Sequence, residues 1–192
     1  VSALLTVAHS ADYSAVVPRG GIASAFGINL ASGVSLGSSV PLPVLLDGVQ
    51  LLVGGRPAGL FYVSPGQINF LVDEATPLGV SEVRVLLNGR ALASGTVEVA
   101  AVAPGWFSAD GTGRGIPAAQ SYDDGAYRLI FEPGTLALRP IDLSKPNWLI
   151  LYGTGWRSAP VSSVTARVGG VSAVVQYSGA AGNWLGLDQL NL

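Results

Sequence analysis

An all-β fold is predicted by three features of the sequence. Short segments rich in Val, Ile, Leu, Tyr and Phe are separated by clusters of turn residues. No stretch carries apolar residues at i, i+3, i+4 and i+7 over a helical length. Glycine (26) and proline (12) are plentiful without a collagen-like period, and the 49% apolar share excludes a disordered chain. In chain order, strands are expected at Ile22–Phe26, Val49–Val53, Gly59–Val63, Gln67–Val72, Glu82–Leu87, Thr96–Ala100, Ala126–Phe131, Trp148–Tyr152, Ser163–Val168 and Ala173–Tyr177. Asn88-Gly89 and Asp124-Gly125 are hairpin dipeptides, and Ser64-Pro65-Gly66 and Glu132-Pro133-Gly134 set Pro and Gly where tight turns need them. Strands so short, joined by such turns, suit a sandwich or barrel better than an open sheet.

A length of 192 residues fits one large β domain or two small ones, and an internal repeat decides for two. Phe26-Gly27-Ile28-Asn29-Leu30-Ala31-Ser32 aligns with Tyr152-Gly153-Thr154-Gly155-Trp156-Arg157-Ser158. Val53-Gly54-Gly55-Arg56-Pro57-Ala58 aligns with Val168-Gly169-Gly170-Val171-Ser172-Ala173, Tyr62-Val63-Ser64 with Tyr177-Ser178-Gly179, and Gln67-Ile68-Asn69-Phe70 with Gln189-Leu190-Asn191-Leu192. The matches occur in the same order in both halves, with a join near Ala103-Pro104-Gly105. Gln67 and Asn69, echoed by Gln189 and Asn191, are expected to do a structural job, since a functional site would more readily occur once.

The strings PRGGIASAFGINLAS, LFYVSPGQINF, VAAVAPGWFSADGTGRG, LILYGTGWR and LGLDQLN resemble the blocks of an uncharacterised C-terminal domain family of secreted acidobacterial (Solibacter-type) proteins. The resemblance runs from about Tyr13 to Leu192. That family is similar to immunoglobulin-like TIG modules and has no assigned catalytic residues. The resemblance implies two tandem Ig-like β-sandwich modules, the second lacking its final strands, and a secreted, extracellular or cell-surface setting. The expected division is an N-terminal extension at 1–12, a first Ig-like module at 13–104, and a second at 105–192 with an irregular insert at 106–147. A chain that starts at Val1 and has no Met reads either as a mature, processed N-terminus, which fits secretion, or as a sequence without its true start.

After Gln67-Ile68-Asn69 the first repeat continues through Glu82–Leu87 and Thr96–Ala100, whereas nothing follows Leu192 in the second. In an extended segment Val1, Ala3, Leu5 and Val7 share one face. The expectation is that this segment of one copy enters the groove beside Leu190 and Leu192 of the next, building head-to-tail filaments by strand addition.

Composition narrows the function classes. Lys and Arg number 10 against 12 Asp and Glu, a net charge of −2 that offers no basic footprint for nucleic acid. No apolar run reaches the roughly 18–20 residues of a membrane span. Absence of cysteine removes disulfides, thiol catalysis and Cys-ligated zinc, and His9 is the sole histidine. It lies in an N-terminal segment expected to be peripheral, with no Gly-x-Ser-x-Gly elbow to accompany it. Glu74, Glu82 and Glu132 show no spacing that pairs two carboxylates across a cleft. Gly111-Thr112-Gly113-Arg114-Gly115 precedes Ile116-Pro117 in a loop, so it is not a phosphate cradle, which follows a strand and opens a helix. Asp110, Asp123, Asp124 and Asp188 lie near glycine-rich turns without calcium-loop spacing and are read as Asx-turns. No catalytic residue, cofactor or metal is therefore expected.

Trp106, Trp148, Trp156 and Trp184, with Tyr122 and Tyr127, are candidates for carbohydrate stacking or for core packing. Trp148 alternates with Ile150 and Tyr152 and is expected in the core. Trp156 and Trp184 follow glycines in loops and are the expected glycan or interface residues. The sequence thus predicts a non-enzymatic extracellular structural protein that assembles with copies of itself. A glycan-binding or adhesive module using the loop tryptophans is the alternative.

Overall fold

A computed structural model describes residues 2–142, 144 and 147–192. The described residues form β-strands and connecting turns, with one 3₁₀ turn at Val161–Ser163 and no α-helix. No helix among them is long and apolar enough to cross a membrane.

In the first half two sheets face each other. One has the order Thr6–His9, Ile22–Phe26, Gln67–Leu71, Gly59–Val63, Ser35–Leu36, antiparallel throughout. The other runs Ala3–Leu4, Arg90–Ala100, Gly79–Leu87, Val49–Val53, Arg56–Pro57, with Val16–Pro18 also parallel to Arg90–Ala100. Because side chains alternate between faces, Val49, Leu51 and Val53 point inward together with Val83 and Val85. They meet Ala25, Leu60, Ile68 and Phe70 of the opposite sheet in one buried cluster. Burying each large apolar side chain contributes about 1.5–3 kcal/mol.

The N-terminal segment belongs to this sandwich, which corrects the expectation of a free extension at 1–12. Ala3–Leu4 runs parallel to Arg90–Ala100 with Ala3 opposite Ala93, and the Leu5 N–H donates to the Ser94 carbonyl at 2.9 Å. The chain then crosses to the other sheet, where Val7 lies opposite Ala25. Leu5 and Val7 are buried in the core of their own half, and Leu4 points to solvent. Ala3, Leu5 and Val7 therefore close the edges of both sheets at home, a standard protection against strand exchange, and are not free to serve a neighbour. Val1 lies outside the described residues.

In the second half a sheet runs Ala126–Leu129, Ala119–Asp123, Trp148–Thr154, Asp188–Asn191, Tyr177–Ala180, with Gly105–Trp106 also on Trp148–Thr154. A separate hairpin joins Ala166–Val168 to Val171–Ala173. The repeat in the sequence is a repeat of pairing register. Gln67, Ile68 and Asn69 stand opposite Phe26, Ala25 and Ser24; Gln189, Leu190 and Asn191 stand opposite Tyr152, Leu151 and Ile150. Tyr62 faces Asn69 as Tyr177 faces Asn191. The turns Gly54-Gly55 (φ +58° and +80°) and Gly169-Gly170 (φ +57° and +83°) share one left-handed geometry that glycine adopts without strain. The amide of Gln67 donates to Asn69 Oδ1 at 2.7 Å, and Gln189 donates to Asn191 Oδ1 at the same distance.

The two halves meet around His9, which was expected at the periphery and is instead only 1% exposed. Its Nδ1 accepts the Ala11 N–H at 3.1 Å, so the proton sits on Nε2, which donates to the Ala103 carbonyl at 3.0 Å. Gly105 closes over the ring, where a Cβ would come within 2.3 Å of Cε1. Thr154 bridges the same seam: its hydroxyl accepts from the Ile22 N–H at 3.0 Å and donates to the Gly186 carbonyl at 2.6 Å. Burial holds the His9 imidazole below its ordinary value of 6.5, against the opposing pull of the Asp12 carboxylate. A protonated ring would also lose the Ala11 bond. The unfolded chain binds a proton at a pH where the folded chain resists it, so stability is full above 6.5 and falls as the pH drops below that value. The melting temperature is expected to fall between about pH 7 and about pH 5, with His9→Gln flattening that slope; calorimetry at a series of pH values measures it.

Candidate functional site

The second-half sheet has one face toward the hairpin Ala166–Val168/Val171–Ala173 and one face outward. Leu190 and Ser178, opposite each other in the ladder, lie on the hairpin side with Val164 and Thr165. Alternation puts their sequence neighbours on the outer face. Three cross-strand rows result. The first is Tyr127, Tyr122, Trp148; the second Leu129, Gln120, Ile150, Asn191, Tyr177; the third Tyr152, Gln189, Gly179.

These rows make an aromatic and amide surface without a charged side chain. The rings of Tyr122 and Tyr127 are 4.7 Å apart and tilted by 45°. Tyr127, Trp148 and Tyr177 are exposed, and Ile150, flanked across the ladder by Gln120 and Asn191, is buried. Trp184, 74% exposed, stands beside this face, and with Gln120, Tyr152, Leu187 and Gln189 it borders a shallow depression. The Tyr152 hydroxyl donates to Gln120 Oε1 at 3.3 Å. Partial burial, with a smaller contribution from Tyr127, pushes that phenol above its ordinary value of 10.0, so it stays a neutral donor. Each amide presents both donor and acceptor groups. Flat rings bordered by neutral amides can stack on the apolar face of a sugar ring while bonding its hydroxyl groups.

The structure separates the two tryptophans that sequence placed in one role. Trp184 is at the rim of the depression. Trp156 is only 5% exposed, packed against Trp106 at 4.8 Å between ring centroids, so it is unavailable to a glycan. It fills the place that Leu30 occupies in the first half, as the alignment of Phe26–Leu30 with Tyr152–Trp156 implies. Trp148, expected in the core, is 43% exposed, because pairing with Tyr122 turns it outward. Gln120, Tyr152 and Gln189 escaped the sequence reading as site residues. The signal was present in the match of Tyr152 and Gln189 to Phe26 and Gln67.

Asp188, read from sequence as an Asx-turn, is fully buried and organises the loop beside the sheet. Its Oδ2 accepts the N–H groups of Gly155, Trp156 and Arg157 at 2.7, 2.8 and 3.1 Å, and its Oδ1 accepts Arg157 Nε at 2.7 Å. Asp110 does form the expected Asx-turn, accepting the Thr112 N–H at 3.0 Å. Among the described residues no group of three His, Asp or Glu side chains converges as a metal would require. Leu190 is buried on the inner face, and Leu192 exchanges backbone bonds of 2.9 and 3.1 Å with Leu149 within its own sheet.

No family model matches the chain, and no curated protein matches it. The solved structure of the Bacteroides ovatus mixed-linkage glucan utilization locus (MLGUL) SGBP-B in complex with mixed-linkage heptasaccharide is similar over 85% of this chain, at 15% identity and a TM-score of 0.33. The chain spans 44% of the length of that protein. Overlap at that level is too loose to carry an argument about site or ligand.

Proposed function

We propose that this chain is a non-enzymatic carbohydrate-binding unit of an extracellular or surface protein, built from two Ig-like modules, that holds a neutral glycan on the outer face of its second-half sheet. The observation that carries the reading is the outward set of Tyr122, Tyr127, Trp148, Tyr152 and Trp184 interleaved with Gln120 and Gln189. Exposed aromatic surface of this extent marks a binding face rather than a solvated one. Binding without turnover is the better reading, because the outer-face rows and the residues around the Trp184 depression include no Asp or Glu to act as acid, base or nucleophile on a glycosidic bond.

Trp184→Ala tests it. The side chain is exposed, so stability should stay within about 0.5 kcal/mol of the parent. Affinity for a retained neutral polysaccharide should fall about tenfold or more, as for the removal of an aromatic anchor. Affinity electrophoresis in gels cast with soluble neutral polysaccharides reads the retardation. Equal retardation of parent and variant, or none for either, contradicts the proposal.

A further inference from the structure

We propose that the outer face of the second-half sheet takes an extended stretch of a neutral polysaccharide chain, laid along Trp148–Thr154 and touching rings near both ends of that strand. The inference rests on the glycan reading above and adds the form of the ligand. The rings fall in two groups separated along the strand. Tyr127, Tyr122 and Trp148 make up the first row, whereas Tyr152 of the third row borders the depression together with Trp184. Trp148 and Tyr152 are four residues apart on one strand, so at a rise of about 3.3 Å per residue the two groups stand about 13 Å apart. A single sugar ring does not cover that span, and several linked rings do. A chain crossing the strands at right angles would meet only one of the two groups.

Between the groups lie amides suited to hydroxyl groups. The second row sets Gln120, Ile150 and Asn191 side by side, and Gln189 follows in the third. The Tyr152 hydroxyl donates to Gln120 Oε1, and the Gln189 amide nitrogen donates to Asn191 Oδ1. Among the described residues no protein group bonds Gln120 Nε2, Asn191 Nδ2 or Gln189 Oε1, which leaves two amide donors and an acceptor for a ligand. Tyr177 borders this stretch on the outlying strand, its hydroxyl 3.0 Å from the place a Cβ of Gly179 would take. The charged residues of these strands are turned from it. Asp123 and Arg128, an ion pair at 3.5 Å, and the buried Asp188 alternate onto the other face. A chain carrying carboxylates would lose hydration here without a cation to pair it. The ligand is thereby specified as a run of uncharged sugars long enough to stack at both ends while its hydroxyl groups meet the amides between.

Calorimetric titration of the full chain with size-graded oligosaccharides tests this, from the disaccharide upward, all cut from a neutral polysaccharide that retards the protein in a gel. Affinity is expected to rise about tenfold or more between the disaccharide and the oligomer that first spans both ring groups, because the second stacking contact is made by a chain already bound. Beyond that length it should level off. Trp148→Ala should bring the long oligomer down toward the disaccharide and abolish the dependence on length. Tyr127→Ala, at an edge position 65% exposed, should reduce the rise and keeps the test open should Trp148→Ala fail to fold. The inference is overturned if the disaccharide binds as tightly as the longest oligomer, or if the full rise with length survives in the folded variants. In either case, retardation that depends on Trp184 would leave the glycan reading standing. Retardation by no neutral polysaccharide overturns both.

Discussion

Asp188→Ala is expected to destabilise the second half by about 3–5 kcal/mol, the range for removing one partner of a buried ionic network. The carboxylate is fully buried and accepts three consecutive loop N–H groups as well as the Arg157 guanidinium. Its removal leaves those donors in a place where water has little access, and each buried unsatisfied donor costs about 1–3 kcal/mol. The loop it holds also seats Trp156 on Trp106, so packing is lost with the bonds. Urea unfolding should show the second half opening first when tryptophan emission, which reports that half alone, is compared with the NMR signals of the first-half core of Leu60, Ile68 and Phe70, which lies apart from this network. Asp188→Asn should recover part of the loss, since its oxygen still accepts.

Gly155→Ala is expected to cost about 3 kcal/mol or more, summing backbone strain and overpacking. Gly155 has φ +101°, a region essentially closed to residues with a Cβ. A Cβ there would come within 1.9 Å of the Ala103 carbonyl oxygen and 2.9 Å of Pro18 Cγ. The first of these is backbone, which cannot rotate away as a side chain could. Relief would require the loop to withdraw from Ala103, breaking the bond of 2.9 Å from the Ala103 N–H to the Gly155 carbonyl and loosening the seam beside His9. Gly111→Ala is the matched control: it also has positive φ (+71°), but open space surrounds its Cβ position. It should therefore cost only the backbone term, about 1–2 kcal/mol. Denaturation midpoints of the two variants separate the contributions.

Local alternation made much of the fold legible. Ile22–Phe26, Val49–Val53 and Gly59–Val63 have the bounds that their apolar pattern indicates, and the Gly-Gly turns end their hairpins where glycine chemistry requires. Strands of two to five residues that rely on distant partners were not legible. Thr6–His9 has no turn pointing to Ile22–Phe26, and although Asp123-Asp124-Gly125 marks the hairpin that joins Ala119–Asp123 to Ala126–Leu129, nothing local points to the pairing of Ala119–Asp123 with Trp148–Thr154. Alternation also groups residues by face without saying which face is inward, and so Trp148 was assigned to the core and Trp156 to the surface. The internal repeat contained the missing sign. Phe26 and Gln67 lie on the outer face of the first-half sheet, with Leu30 packed inside, and their counterparts Tyr152, Gln189 and Trp156 follow them. The environment of His9 joins the nearby Ala11 and Asp12 to residues more than ninety positions away, Ala103 and Gly105, and no local pattern encodes the distant part.

The most direct test of glycan recognition is where on the molecule a sugar binds. Amide and side-chain NMR shifts should be followed while a neutral oligosaccharide, released from a polysaccharide that retards the protein in a gel, is titrated in. The account predicts saturable changes confined to the outer face, at Gln120, Tyr122, Trp148, Tyr152, Trp184 and Gln189, with Leu190 and Val164 unmoved. Shifts centred on the groove beside Leu190, or absent from the outer face at saturating sugar, would contradict it.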